Sequence, residues 1–279
     1  METETETIWE KLQNIDRRVF YWILFIGLMV PYINPLSLPL TVSPSTRDLY
    51  ERLQELEEGD TVIINMSFGV SGWPECMPAT RACSKIVLRE GAKLIIWGSS
   101  IDVDMSWDEL VTSVPDFEEY DYGEDYVYLG YYTGGESVVA QIASNIRSVF
   151  PSDARGTNLD DIPMMKDVNS WEDITLVLSV DTGDWGLYYL RQWQSPYGVP
   201  LGEIGIAMLG SSMMPYYRSG NIFGMSVGSR GGAELEQLIG EPGDATVTMD
   251  AISVSHLLLV GAIILANIGY FATRGKGGQ

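Results

Sequence analysis

Two stretches without a single Asp, Glu, Lys or Arg bracket this chain, Val19–Thr46 and Ala251–Thr273, and they constrain everything between them. The first opens with Val19–Val30 (VFYWILFIGLMV), continuously apolar and aromatic, and the second centres on Leu257–Leu265 (LLLVGAIIL). A bilayer core about 30 Å thick is crossed by ~20 apolar helical residues, so both stretches read as transmembrane helices. In the first, Pro31, Pro35 and Pro39 recur every four residues, each without a backbone donor. Helix is therefore expected to fail near Pro35 and to continue as an extended neck through Leu40. A cleaved signal peptide is the competing account of this run. The acidic start METETETIWE and the lack of a small-residue cleavage site favour an uncleaved signal anchor.

Lys11, Arg17 and Arg18 precede the first span, and Arg274 and Lys276 follow the second. The positive-inside rule then puts both termini in the cytoplasm and the middle of the chain outside, although Arg47 and Arg52 oppose that asymmetry. The expected organisation is an acidic N-terminal segment with a juxtamembrane helix (1–18), a first transmembrane helix with a Pro-rich neck (19–40), a central domain (41–250), a second transmembrane helix (251–273) and a basic tail (274–279). Localisation in a cell membrane as a two-pass protein follows, with membrane lipid as one partner.

The net charge of −21 belongs to the central domain, because residues 41–250 hold 12 of the 17 basic side chains but 33 of the 38 acidic ones. Nucleic-acid binding needs clustered Lys and Arg to displace counterions, so nucleic acid is not an expected partner. A hydrated acidic face, a cation or a basic protein fits this charge.

Within 41–250, short β-branched runs alternate with amphipathic stretches, as in a βα-repeating sheet. Strands are expected at Thr61–Met66, Lys93–Trp97, Tyr126–Gly130, Thr175–Val180, Glu203–Leu209 and Ile222–Val227. Helices are expected at Arg47–Glu58, Cys76–Glu90, Trp107–Val114, Gly135–Phe150, Trp185–Gln194, Met213–Arg218 and Gly232–Ile239. Runs such as TVIINM and TLVLSV are apolar on both faces, which a parallel sheet covered by helices requires. The expected fold is α/β, a three-layer, mostly parallel, Rossmann-like sheet domain flanked by two transmembrane helices. Pro151–Asp173, the longest irregular stretch, reads as an insertion or lid.

The chemistry this composition permits is narrow. The one histidine, His256, lies in the second apolar run, which excludes a Ser-His-Asp or Cys-His centre in the central domain, an HExxH zinc site and any multi-histidine metal centre within one chain. Cys76 and Cys83 lie seven apart on an expected helix, about 10 Å, too far for a disulfide, so free thiols are expected. No catalytic residue and no cofactor is assigned.

Ligands of open α/β sheets gather beyond the carboxyl ends of the strands. Three corners qualify. Gly134, Gly135, Glu136 and Ser137 would bring glycine amides and a helix N-terminus together, as around an anion. Asp181 and Asp184 would put two carboxylates at a strand end, where they could hold a hard cation or cap a helix. Ser229, Arg230, Gly231 and Gly232 open the last helix of the domain, where Arg230 could meet a carboxylate or phosphate. Turn chemistry at the first corner, an Asp helix cap at the second, and glycine packing with an acidic partner for Arg230 at the third are the simpler accounts and are preferred to ligand binding.

An acidic segment (Asp116, Glu118, Glu119, Asp121, Glu124, Asp125) interleaved with Tyr120, Tyr122, Tyr126 and Tyr128 reads as a solvated loop or as a contact surface, since tyrosines supply stiff contact area. In the second span Ser255, Ala262 and Ala266 give a face of small residues, with Ala251 and Gly269 continuing it, and Asn267 is a polar group in the same helix. These are the candidates for helix–helix packing.

Ile8-Trp9-Glu10, Asp16-Arg17-Arg18, Val42-Ser43-Pro44, Tyr197-Gly198-Val199-Pro200, Pro215-Tyr216-Tyr217-Arg218-Ser219-Gly220 and Arg230-Gly231-Gly232-Ala233-Glu234 are strings through which the chain resembles an uncharacterised family of prokaryotic membrane proteins. The resemblance implies an α/β domain between an N-terminal and a C-terminal transmembrane helix, and no activity. The expected function is that of a noncatalytic, membrane-anchored assembly subunit, in a homo-oligomer or with other membrane-protein subunits. Small-ligand or cation binding at the sheet edge is the first alternative, and a carboxylate- or serine-dependent hydrolase or transferase the second.

Overall fold

The computed structural model describes residues 16–274; Lys11 with the acidic start, and Lys276 in the basic tail, lie outside the described residues. The chain forms two compact units, one of residues 39–246 and one of the segments up to Leu38 and from Val247 onward.

The larger unit is built on a six-stranded sheet in the order β3-β2-β1-β4-β5-β6. Its strands are β1 (Thr61–Ser67), β2 (Lys93–Gly98), β3 (Tyr126–Tyr131), β4 (Leu176–Asp181), β5 (Leu201–Gly205) and β6 (Gly224–Val227), and every neighbouring pair is parallel. Because strand side chains alternate, Val62, Ile64 and Met66 enter one apolar core and Ile63 the other, with Asn65 beside it on the same face. The first core is covered by α2 (Pro44–Gln54), α3 (Trp73–Arg89), α4 (Val103–Ser113) and α8 (Gly228–Ile239). The second is covered by α5 (Glu136–Ser144), α6 (Trp185–Tyr189) and α7 (Gly210–Arg218). The domain is an α/β fold of Rossmann-like type, with its sheet buried on both faces. Cys76 and Cys83, both on α3, are free and buried in the first core.

Several boundaries depart from expectation for identifiable reasons. β5 ends at Gly205, because Ala207–Leu209 turns into a 3-10 helix, and it begins at Leu201. The expected helix Gly135–Phe150 is broken at Asn145, whose extended backbone and side-chain bond to the Ser148 N–H (3.1 Å) start a separate 3-10 turn. α6 runs on through a π-helical turn, Leu190–Gln194, and a last turn, Ser195–Tyr197, stopped by Gly198 at φ +73°. Pro151–Asp173 is neither insertion nor lid: Leu159, Ile162, Met164, Met165 and Val168 are buried in the second core. The Arg147 guanidinium fastens that segment to the domain, donating to the carbonyls of Val168 and Met165 (2.6 Å each).

The smaller unit contains α1 (Arg17–Ile33) and most of α9 (Asp244–Arg274). Among the described residues one helix, α9 over Asp244–Ala272, is long and apolar enough to cross a membrane. It begins before Ala251, because the Glu236 carboxylate accepts the N–H groups of Gly243, Ala245 and Thr246 (2.9, 3.1 and 2.7 Å) and so satisfies the unpaired donors of the first turn. α1 has 17 residues, about 25 Å of helix, and its aromatic and aliphatic side chains from Val19 to Ile26 are exposed. It stops at Ile33, and Asn34, preceding Pro35, is driven out of helical geometry (φ −149°, ψ 107°).

The neck after α1 is held by a single carboxylate. Asp250, on α9 and only 2% exposed, accepts the backbone N–H groups of Leu36, Ser37 and Leu38 at 2.8, 2.9 and 2.9 Å. Ser37 takes φ +48°, a left-handed conformation uncommon for a residue with a side chain, and this aims three successive N–H groups at one anion.

Candidate functional site

All six strands point the same way, so the loops that follow them share one edge of the sheet. The strand order reverses between β1 and β4, and the crevice of a Rossmann-like sheet is expected beyond their carboxyl ends. Here the two loops close on each other. A Cβ added at Gly72, at the end of the β1 loop, would lie 2.7 Å from Cγ2 of Thr182 in the β4 loop. Neighbouring loops are tied in as well: Asp102 accepts the Val70 N–H (3.1 Å), Glu75 accepts the Ala207 N–H (2.7 Å), and Ser229 donates to the Pro74 carbonyl (3.0 Å).

Of the charged members of the three sequence-defined corners, Glu136, Asp181 and Arg230 are engaged within the fold. Glu136 accepts from Arg191 (2.7 and 2.8 Å) and Gln192 (2.8 Å), bonds that hold its carboxyl down at about 2. Ser137 accepts from the Gln141 amide, while Gly134 and Gly135 take positive φ values to turn the chain into α5. Arg230 donates to Glu234 (2.9 Å) and to the Thr41 carbonyl (3.1 Å). Burial pushes the Glu234 carboxyl up, but the bonds from Ser43, Arg230 and Thr46 together outweigh it and leave it below its ordinary value. Gly231 and Gly232 are contact points, since a Cβ would meet Ser226 Oγ at 2.5 Å and Pro78 Cβ at 3.0 Å.

Asp181 and Asp184 are not a pair. Asp184 is exposed and makes no side-chain cap, and it is Asp181 that caps α6, accepting from Gly183 N (2.7 Å), Gly186 N (2.9 Å) and Ser179 Oγ (2.9 Å). Its acidic companion is Glu203, which the sequence does not mark out. β-register aligns Asn65, Ser179 and Glu203 on adjacent strands β1, β4 and β5, all on the face beneath α6. Glu203 lies directly under Gly186, where an added Cβ would fall on its carboxylate oxygen. Both oxygens of Glu203 and both polar atoms of the Asn65 amide are buried without a hydrogen-bond partner among the described residues. Burial, and then the charge of Asp181, pushes the Glu203 carboxyl well up; burial raises Asp181 to about 6 against the pull of its three donors. Among the described residues no three His, Cys, Asp or Glu side chains converge in a way that could hold a metal ion. The nearby Cys76 thiol is pushed up by burial and by the charges of Asp181, Glu75 and Glu203, which makes it a poor nucleophile.

What the edge does present is apolar surface. Ile101 (85% exposed), Met208 (75%) and Met105 (56%) stand out with Val70 and Tyr132, on the loops or first helical turns after β1, β2, β3 and β5, and with Tyr131, the last residue of β3. The tyrosines of the acidic segment are used differently. Tyr128 stacks on Trp107 at 4.8 Å and donates to Asp104, Tyr126 packs on Phe117, and Tyr122 donates to Asp153 while Arg155 covers its ring at 3.3 Å. Their rings are therefore core and support, and the exposed contact area lies at the strand ends.

In the smaller unit, the helix-packing candidates divide. Ser255 and Ala262 line an apolar groove of about 490 Å³ with Phe20, Ile23, Leu24 and Leu258. Ala266 and Asn267 are exposed, and the Asn267 amide donates to the Ile263 carbonyl of its own helix (2.8 Å). The close approach of α1 and α9 comes from Gly27, where a Cβ would meet Leu258 Cδ1 at 2.8 Å. Gly27 is the one residue without a side chain in the run Val19–Val30, and that was its signal in the sequence.

No protein-family model matches the chain, and no curated protein matches it.

Proposed function

We propose that this protein is a membrane-anchored assembly subunit, whose α/β domain recruits another protein through the carboxyl edge of its sheet. The observation that carries this reading is the apolar rim of Ile101, Met105, Tyr131, Tyr132 and Met208 on the edge where such sheets meet their ligands, with Glu136, Asp181 and Arg230 turned into internal bonds. In the same reading α1 is a second span, paired with α9 through Gly27, its 17 residues extended across the interface by the neck that Asp250 holds. Both termini then lie in the cytoplasm and the domain outside, as the basic flanks suggest, an arrangement that accords with the resemblance to the two-span family. Native mass spectrometry of the detergent-extracted protein tests the assembly reading, with stoichiometric complexes expected and monomer alone counting against it. Protease added to intact cells should shave the domain; protection until lysis would overturn the outward orientation.

A second reading, ligand or cation binding, is favoured by the unpartnered Asn65 and Glu203 beneath the same edge. Ca²⁺ or Mg²⁺ raising the melting temperature of the wild type and not of Glu203→Gln would support it.

A further inference from the structure

The rim carries exposed apolar side chains at the ends of β2, β3 and β5 and is one-sided in its charge. The loops after the six strands and the first turns they enter carry Glu75, Asp102, Asp104, Glu136 and Asp184, against Arg230 alone, and Arg230 is held by Glu234. Near the edge Arg191 is likewise spent on Glu136. Two copies of this edge brought face to face would set like charges against each other, on domains that already hold the whole of the −21. An anionic bilayer surface is disfavoured for the same reason. Adjacent strands lie about 4.8 Å apart, so the loop after β3 and the loop after β5, four strand spacings away, are separated by ~19 Å. That span equals about 13 residues of α-helix.

We propose, resting on the assembly reading, that the carboxyl edge docks a basic amphipathic helix of a different protein, three to four turns long. Its apolar face covers Ile101, Met105, Tyr131, Tyr132 and Met208, and its lysines or arginines meet exposed acids such as Asp104 and Asp184. Apolar contact supplies the affinity, and the acidic surround excludes acidic partners and speeds encounter with basic ones.

The test uses the full chain in phosphatidylcholine nanodiscs and two fluorescent 14-residue helical peptides, one Leu/Lys and one with Glu in place of every Lys. The Leu/Lys peptide should bind, with affinity at least tenfold weaker for Ile101→Ser/Met208→Ser and weaker again at high salt, while the Leu/Glu peptide should not bind. Both substitutions are at exposed positions, and circular dichroism should confirm an unchanged fold. Equal binding to wild type and double variant would show charge attraction without a docking face and overturn the proposal, as would equal binding of the two peptides. Native mass spectrometry of the same variant separates this from the broader reading. If the variant loses its natural complexes yet neither peptide binds the wild type, the edge is an assembly surface and the basic-helix partner is wrong. If the complexes persist and the peptide ignores the rim, both fail.

Discussion

Replacing Glu203 by glutamine should stabilise the domain above pH 6, and by more the higher the pH. Glu203 is wholly buried without a partner, and burial followed by the charge of Asp181 holds its carboxyl well above the ordinary 4.5. The folded chain thus keeps a proton that the unfolded chain releases. For a group raised in this way, stability is fully present below the unfolded value and is lost as pH rises, by about 1.4 kcal/mol per pH unit, until the folded value is passed. Asp181, raised to about 6 from 3.8, has the same sign and removes roughly 3 kcal/mol over that interval. Carboxylates held low by partners (Glu136, Glu234 and Glu241) act in the opposite direction below the ordinary carboxylate range, whereas the buried pair acts above it. Urea unfolding followed by tryptophan fluorescence should show wild-type stability falling as pH rises above that range. Glutamine keeps the shape and cannot ionise, so the slope should flatten, with the variant ahead at pH 8. Equal slopes would mean that Glu203 is charged and partnered in the folded chain.

Asp250→Ala should release the neck. Three backbone N–H groups lose their only acceptor, and hydrogen bonds to a carboxylate contribute about 1.5–3 kcal/mol each, though not additively. Amide hydrogen exchange at Leu36, Ser37 and Leu38 is therefore expected to accelerate by roughly 10²–10³, corresponding to about 3–4 kcal/mol. The rest of the domain should exchange as before. Ser37→Gly gives the converse reading, because glycine takes φ +48° without strain and should leave the three amides as protected as in the wild type. Unchanged exchange in Asp250→Ala would show that the neck is held by something other than this carboxylate.

The sheet was legible in the sequence wherever apolar character ran unbroken. Thr61–Met66 and Thr175–Val180 read as doubly covered strands because Val, Ile and Leu occupied both faces, and a parallel sheet follows from that pattern. Leu201–Gly205 was harder: two glycines and a glutamate in five residues dilute the strand signal, so its position was misjudged by several residues. The same strand hid half of the acidic pair. Glu203 looks like an ordinary surface glutamate until β5 is known to lie beside β4, which places it next to Ser179 under Gly186. Sequence proximity suggested Asp184 as the partner of Asp181, whereas three-dimensional adjacency selected a residue 22 positions downstream of Asp181. Ile101 and Met208 were invisible for a related reason: a lone apolar residue beside a strand looks like core until the sheet order leaves it outside. Asp250 stands in the sequence only as the last charge before the uncharged run Ala251–Thr273.

The carboxylate that holds the neck is separated from it by up to 214 positions, so the two meet only after the whole sheet has been synthesised. At about 5–20 residues per second, the interval between the emergence of Ser37 and of Asp250 is ~10–40 s. Throughout it the amides of Leu36, Ser37 and Leu38 have no carboxylate to bind and must stay hydrated, which keeps the neck out of the hydrocarbon. In a two-pass chain the first helix therefore remains free to adjust its depth and tilt while the whole sheet is being made. Its position becomes fixed when α9 arrives, so a ribosome that stalls before Asp250 leaves a domain whose first helix has never been locked.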